Sequence, residues 1–572
     1  MSARTSRPAL TTDRSPEARS VRASAEGSLG GIGESLRYAP PLRPDRDQAG
    51  AWLRGGAHRL RALVVAHRLD LAVVGSLLLA VGLVHGINMT GSPAFFDDEG
   101  TYVAQSWAVT HMGELAPYTY WYDHPPVGWL LMAGWSLLLQ PLGGADWTIA
   151  DYRSLMLVLA LVDAVLLYAT ARRLEISRPF AALAVALFAL SPLAVQYQRM
   201  VLLDNIAVTW TLLAFLLLLS RRQQLAGYAA AGVCFAIAVL TKETFVLVLP
   251  ALLLLAWQRS AGPAHPLRIT ILVACFGLVA FFYPLFATLQ GELIPGSGHT
   301  SLIDGVFYQL TRPGGGGLTD PDSGTRQLID SWLGEDSFLL PAAILMVPVA
   351  LRLRHLRAIG IAFLLPVFVA ARPSAYVPAM FVIGLLPFAA LIVAGSAQSL
   401  WRWGANRSAS HRPSGLRLAS RAGILLAAGG LALGAVPQWV SGNQGQMSHD
   451  DQAAGRAAVA WIDQHVDRHS TVLVDDTVWV DLVQRGFSPD RAIWFYKLDL
   501  DPGVSVDERD VDYVLRSNMM EGNAKDLPHT RAVLEHGTTL ATFTSGAERM
   551  EVRRVVWPGS QRDSTVQRGG PQ

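Results

Sequence analysis

The sequence predicts a polytopic α-helical membrane protein that ends in a small α/β domain. Three observations carry this. Of 572 residues, 51% are hydrophobic and only 16% charged, and the mean hydropathy is +0.30, which is membrane rather than soluble composition. Apolar stretches long enough to cross a bilayer, or nearly so, recur between residues 69 and 440. Arginine clusters fall in alternate connections between them.

The elements follow in order. Residues 1–68 are rich in Arg, Ser, Pro and Gly and lack an apolar run, so they read as a disordered cytoplasmic arm without a cleavable signal peptide. Leu69–Ile87 reads as an uncleaved anchor. Apolar stretches follow at 155–171, 179–197, 201–219, 226–241, 244–257, 269–289, 338–351, 358–371, 375–395 and 422–440. The stretch 127–142 follows Pro125-Pro126 directly. If it does not cross, Arg172, Arg173 and Arg178, then Arg221 and Arg222, Arg259 and Arg268, Arg352, Arg354 and Arg357, and Arg402 to Arg421 all share one side with the arm. We therefore read it as a juxtamembrane or re-entrant helix inside a long outer loop, 89–154. The transmembrane domain is then 69–440, with eleven spans, a cytoplasmic N-terminus, and a plasma-membrane location with the C-terminal part outside. A second outer loop, 290–337, carries Gly314 to Gly317 in a row and reads either as a mobile lid or as disordered chain. After 440, helical periodicity at Ala453–Val466 and strand-like runs at 472–474, 492–496, 511–515, 539–543 and 550–556 predict an α/β domain over 448–557. Residues 558–572 read as a disordered tail. Cys234 and Cys275 lie in apolar runs, which suits neither a disulfide framework nor a metal site. No nucleic-acid partner is expected.

This topology gathers polar residues at one face. Asp97-Asp98-Glu99 follows the first span, and reads either as acids in the first turn of a helix or as a general base with a neighbour that orients it. Asp98 and Glu99 are the catalytic candidates; if the segment is extended, alternation turns Asp97 away from Asp98. Asp123-His124 precedes Pro125-Pro126, beside Tyr118, Tyr120, Trp121 and Tyr122, which suit an aromatic belt or a sugar-stacking surface equally. Arg199, Asp204, Lys242 and Glu243 lie at helix ends, where they either snorkel or meet a phosphate. Lys242 is the only lysine of the membrane region; the others are Lys497 and Lys525. His299 and Arg372 complete the substrate-binding candidates, and Arg312 lies in the same outer loop as His299. Asp163, inside the span 155–171, has no assigned role and keeps a transporter reading alive.

These motifs, in this order, resemble GT-C fold glycosyltransferases that use polyprenyl-phosphate sugars. The group includes protein O-mannosyltransferases and the lipid A aminoarabinose transferases. The resemblance spans about 69–400 and includes Arg153-Ser154, Ala171-Arg172-Arg173-Leu174, Leu190-Ser191-Pro192 and Arg199 to Asn205. It implies that Asp98 matches the catalytic acid and Glu99 its partner. Asp123 and His124 then match the acid and the basic residue before Pro-Pro, Asp204 an acid of the second outer segment, and Lys242 a lysine after the sixth apolar run. Asp97 adds a third acid, so the base is Asp97 or Asp98, and Asp123 and His124 lack the usual spacer. The C-terminal part looks like an extension of actinobacterial members, with no activity implied.

The expectation is an inverting glycosyltransferase with a polyprenyl monophosphate-sugar donor and a glycan, lipid or protein hydroxyl as acceptor on the outer face. The alternatives are a protein O-mannosyltransferase, a transporter or flippase of lipid-linked glycan, and an inactive scaffold whose α/β domain binds cell-wall glycan. The residues imply no specific cofactor and leave a divalent cation open; if one is used, Asp98, Glu99 and Asp204 would hold it.

Overall fold

The computed structural model describes residues 67–139, 148–406 apart from 221 and 223, 429, and 433–558. Nearly all of the arm, the tail and part of the last predicted span therefore lie outside the described residues. Apolar runs become helices, and their interruptions become bends. Helix Thr148–Arg173, 26 residues long, carries Arg172 and Arg173 in its last turn, where cations suit the helix dipole. At about 1.5 Å per residue it is long enough to cross a bilayer. His67–Gly86, His265–Gln290 and Ala379–Trp403 are also long and apolar enough to cross.

Two bent pairs raise these four to at most six among the described residues. Arg178–Ala189 and Pro192–Arg199 meet at 58°; Pro192 starts the second helix, having no N–H to continue the first. Gly324–Glu335 and Leu339–Arg352 meet at 99°. Val127–Leu138, Leu203–Leu218, Leu225–Thr241 and Arg357–Ala370 are apolar but shorter. Helix lengths therefore do not establish eleven crossings. The predicted loop 290–337 is not structureless: it carries helices Leu302–Thr311 and Gly324–Glu335, each started by a serine cap, Ser301 and Ser323.

The C-terminal region is a five-stranded sheet in the order β2-β1-β3-β5-β4. Its strands are β1 Val472–Val474, β2 Ala492–Trp494, β3 Tyr513–Arg516, β4 Gly537–Ser545 and β5 Glu548–Val555. β1 runs parallel to β2 and β3, and all three of its residues are buried, as a short apolar strand covered on both faces should be. β5 pairs antiparallel with β3 and β4. The predicted strand 492–496 stops at Trp494, because Phe495–Leu500 is helical.

The described residues from Ala72 onward belong to one compact unit. Trp479, Trp494 and Val552 of the sheet region share a continuous core with Tyr102, Trp129 and Leu203 of the helical part. The sheet region is thus packed onto the helices rather than tethered to them.

Candidate active site

Asp97, Asp98 and Glu99 fill the first turn of helix Asp97–His111, where free N–H groups favour acids. The segment is helical, not extended, so successive side chains diverge by about 100° around the axis. That rotation gives the three acids different surroundings.

Glu99 turns inward and is fully buried. Its Oε1 accepts from Arg153 Nε at 3.1 Å and from the Val201 amide at 2.8 Å. Its Oε2 accepts from Arg153 Nη2 at 2.8 Å and from the Phe96 amide at 3.1 Å. Every acceptor direction is spent on scaffold, and Glu99, unlike Asp98, does not line the cavity. Asp97 accepts from the Asp98 amide at 3.0 Å. Burial and the adjacent Asp98 carboxylate push its carboxyl up to about 6. Asp98 faces a cavity of about 780 Å³.

Asp123, His124, Lys242, Glu243 and Arg372 line the same cavity. Lys242 gets there because helix Leu225–Thr241 stops at it: Lys242 is extended, with φ −146° and ψ 112°, and a 3₁₀ turn follows. Its ammonium donates to His124 Nε2 at 3.0 Å and to the Tyr102 hydroxyl at 3.4 Å. With Nε2 accepting, the ring proton sits on Nδ1, which donates to Glu243 Oε2 at 3.0 Å. The three side chains form one relay, with Lys242 almost wholly buried.

Segment 118–124 is held from several sides. Tyr122 has a positive φ of 56°, an unfavourable conformation for a bulky residue. Its hydroxyl donates to Glu292 at 2.5 Å. Thr300 donates to the Tyr120 carbonyl and Gln309 to the Asp123 carbonyl, each at 2.8 Å. Helix Leu302–Thr311 comes this close through Gly305, where a Cβ would lie 2.4 Å from the Tyr122 carbonyl oxygen.

Other candidates lie elsewhere. Arg199 does not line the cavity: its guanidinium donates to the carbonyls of Ser92, Gln446, Val84 and Ile87. It ties the end of the first helix to the segment before the sheet, which corrects its expected place at a phosphate. His299 is exposed, with Nε2 3.3 Å from the Ile294 oxygen, and is also outside the cavity lining. Asp204 is buried beside a small void with Phe245 and Leu385, not in the main cavity. Asp163 is buried away from the cavity too. Among the described residues, no three His, Cys, Asp or Glu side chains converge as metal ligands, so Asp98, Glu99 and Asp204 do not form one set.

Arg312, which the sequence placed in an outer loop but not among the binding candidates, lines the cavity. Its guanidinium lies 3.7 Å from the Tyr376 ring centroid and 5.2 Å from that of Tyr308, and all three line the cavity. Val246, Leu247, Val369 and Phe381 give the cavity an apolar wall. One space thus joins the carboxylates of Asp98, Asp123, Glu243 and Asp304, the cations Lys242, Arg312 and Arg372, and an apolar surface.

Residues 124–263 match the family model described as dolichyl-phosphate-mannose-protein mannosyltransferase. The matched segment starts at His124 and includes Lys242 and Glu243. The structure is similar to ArnT from Cupriavidus metallidurans bound to undecaprenyl phosphate, with a TM-score of 0.53 and 15% identity, covering 89% of this chain and 100% of that one. It is also similar to the apo oligosaccharyltransferase of Archaeoglobus fulgidus, with a TM-score of 0.50 and 14% identity, covering 83% of this chain and 74% of that one. No curated protein matches the sequence. The chain has the GT-C fold, and its family match is to glycosyltransferases of the membrane.

Proposed function

We propose that the protein transfers a sugar from a polyprenyl monophosphate donor to an acceptor hydroxyl, with inversion, on the outer face of the plasma membrane. The observation that supports this best is the shared cavity. Asp98 stands in one space with Lys242, Arg312 and Arg372, beside an apolar wall. A lipid-linked sugar has the matching parts: an apolar tail, a phosphate and a sugar.

In this reading Asp98 takes the proton of the acceptor hydroxyl as its oxygen attacks the anomeric carbon. The bond from that carbon to the phosphate oxygen breaks, and the electron pair leaves with the polyprenyl phosphate. The departing group gains charge, which Arg312, Arg372 and Lys242 offset in a partly water-excluded site. One carboxylate suffices for inversion at a donor that already carries its leaving group. Asp97 does not line the cavity, and its carboxylate accepts from the Asp98 amide; raised to about 6, it is still mostly ionised at neutral pH, so its position rather than its basicity sets it aside.

The test uses purified protein in liposomes with the total polyprenyl lipid extract of the source cells and an envelope-glycan acceptor fraction. Wild type should release polyprenyl monophosphate with matching sugar transfer. Asp98→Asn should lower turnover by about 10²–10⁴, the usual worth of a general base, while binding undecaprenyl monophosphate as wild type does. Near-normal turnover of Asp98→Asn sinks the mechanism.

A further inference from the structure

The sheet region touches the cavity at Leu500 and grips its wall through one buried lysine. Lys497 is 5% exposed and lies on helix Phe495–Leu500. Its ammonium pairs with Asp501 at 3.2 Å and sits 3.6 Å from the centroid of the Trp121 ring. Tyr118, Trp494 and Tyr496 stand around it with centroids 5.7–5.9 Å away. A cation over an indole face is attracted by the ring quadrupole, more strongly when desolvated. Trp121 lines the cavity, as does Leu500 at the end of the lysine's own helix. Asp501 also accepts from the Thr119 hydroxyl at 2.7 Å and from the Gly503 amide at 2.9 Å. The Tyr118 hydroxyl closes the contact: it donates to the Ala492 carbonyl at 3.1 Å and accepts from the Trp494 amide at 3.2 Å.

These contacts fix 118, 119 and 121, the residues just before Asp123 and His124. A lysine is costly to bury. Here its charge is matched by Asp501 and by aromatic faces, and what it holds is a cavity wall. We infer that Lys497 is a positioning residue for the transfer reaction. Acting through Trp121, it makes the C-terminal sheet region part of the active site and holds Asp123 and His124 at the cavity where the sugar sits. The catalytic part of this inference rests on the glycosyltransferase reading; the latch itself does not.

Lys497→Met removes the charge and keeps the length of the side chain. Thr119→Val removes one contact to Asp501 and leaves the caged ammonium in place. Three quantities would be measured: amide hydrogen exchange over 118–124, the dissociation constant for undecaprenyl monophosphate, and kcat for transfer from the source-cell lipid extract. A misplacement of about 1 Å costs roughly a hundredfold in rate. The expected result for Lys497→Met is therefore faster exchange at 118–124, kcat lower by about ten- to a hundredfold, and a dissociation constant within twofold of wild type. Thr119→Val should shift exchange and kcat in the same direction by less, and it serves alone if Lys497→Met does not fold. Unchanged exchange at 118–124 overturns the latch. Altered exchange with unchanged kcat overturns the positioning role. Equal loss of lipid-phosphate binding and kcat shows a general structural role and overturns it as well. If wild type transfers no sugar at all, the glycosyltransferase reading fails, and the exchange data still decide the latch.

Discussion

Replacing Glu99 by Gln separates scaffold from chemistry at the acidic cluster. The change is isosteric, and its consequence can be worked from the contacts. Oε1 accepts from Arg153 Nε and the Val201 amide; Oε2 accepts from Arg153 Nη2 and the Phe96 amide. Whichever oxygen becomes an amide nitrogen, it faces two donors. Both Glu99 and Arg153 side chains are fully buried, so water cannot take over. Breaking such a pair costs about 3–5 kcal/mol, mainly because the remaining charge stays buried and unpaired. The assay is thermal unfolding in detergent, with transfer measured well below the midpoint. Glu99→Gln should lower the midpoint clearly and leave transfer per folded molecule largely intact. Adding Arg153→Met removes the orphaned charge and should recover part of the stability. An unchanged midpoint with a hundredfold loss of turnover would refute the scaffold argument and return Glu99 to the chemistry.

Arg312→Met should weaken binding of undecaprenyl monophosphate by about 1.5–3 kcal/mol, the worth of a charged hydrogen bond; an unchanged dissociation constant reduces Arg312 to a stacking partner of Tyr376. Asp475 is 4% exposed, and burial first, then Glu548 and Asp97, push its carboxyl up to about 7. A raised acid binds its proton more tightly when folded, so stability is full below about pH 4 and declines as pH rises towards 7. Asp475→Asn should flatten that decline by up to about 4 kcal/mol; a variant as pH-sensitive as wild type would show that other groups set the slope. At Gly100 a Cβ would lie 2.3 Å from the Thr477 amide nitrogen and 2.4 Å from the Asp476 carbonyl carbon. Gly100→Ala should therefore lift helix Asp476–Gln484 off helix Asp97–His111, seen as faster hydrogen exchange at 476–484 and a loss of about 1–3 kcal/mol; unchanged exchange would mean that the backbone shifts without cost.

What the sequence made legible depended on how local the signal was. Apolar runs and their arginine borders are read residue by residue, and they mark the helices well. How many cross is less legible, because Pro192 breaks the run 179–197, and the run after Lys242 opens with a 3₁₀ turn that leaves only a short helix, Leu249–Arg259. Strand runs such as Val472–Val474 were legible for the same reason as the helices, whereas Trp494 gives way to helix within one apolar run. Asp98, Asp123, His124, Lys242, Glu243 and Arg372, each picked out at a helix end or in a loop, share one cavity. Within a cluster the sequence could not discriminate. Asp98 and Glu99 are neighbours with similar chemistry, and only the rotation of the helix sends one to the cavity and the other to Arg153. Arg199 and Arg312 differ likewise in their partners: one is spent on four carbonyl groups, the other stacks on Tyr376 in the cavity. Such partners are brought by tertiary structure from more than 50 residues away.

Tyr122 shows how these distant contacts support one local decision. A bulky residue at φ 56° costs on the order of 1–3 kcal/mol and persists only when its surroundings over-determine it. Here they do. Glu292 takes its hydroxyl, Thr300 and Gln309 take the carbonyls of Tyr120 and Asp123, and Thr119 and Tyr118 are tied to the sheet region. The left-handed turn falls one residue before Asp123 and two before His124, both of which line the cavity. Relaxing Tyr122 to an extended conformation would redirect the chain at that point and break the His124 link between Lys242 and Glu243. The strain and the relay are therefore coupled. The cavity's charge arrangement depends on clamps from helix Leu302–Thr311 on one side and from Lys497 and Asp501 on the other, not on the Asp-His-Pro-Pro sequence alone.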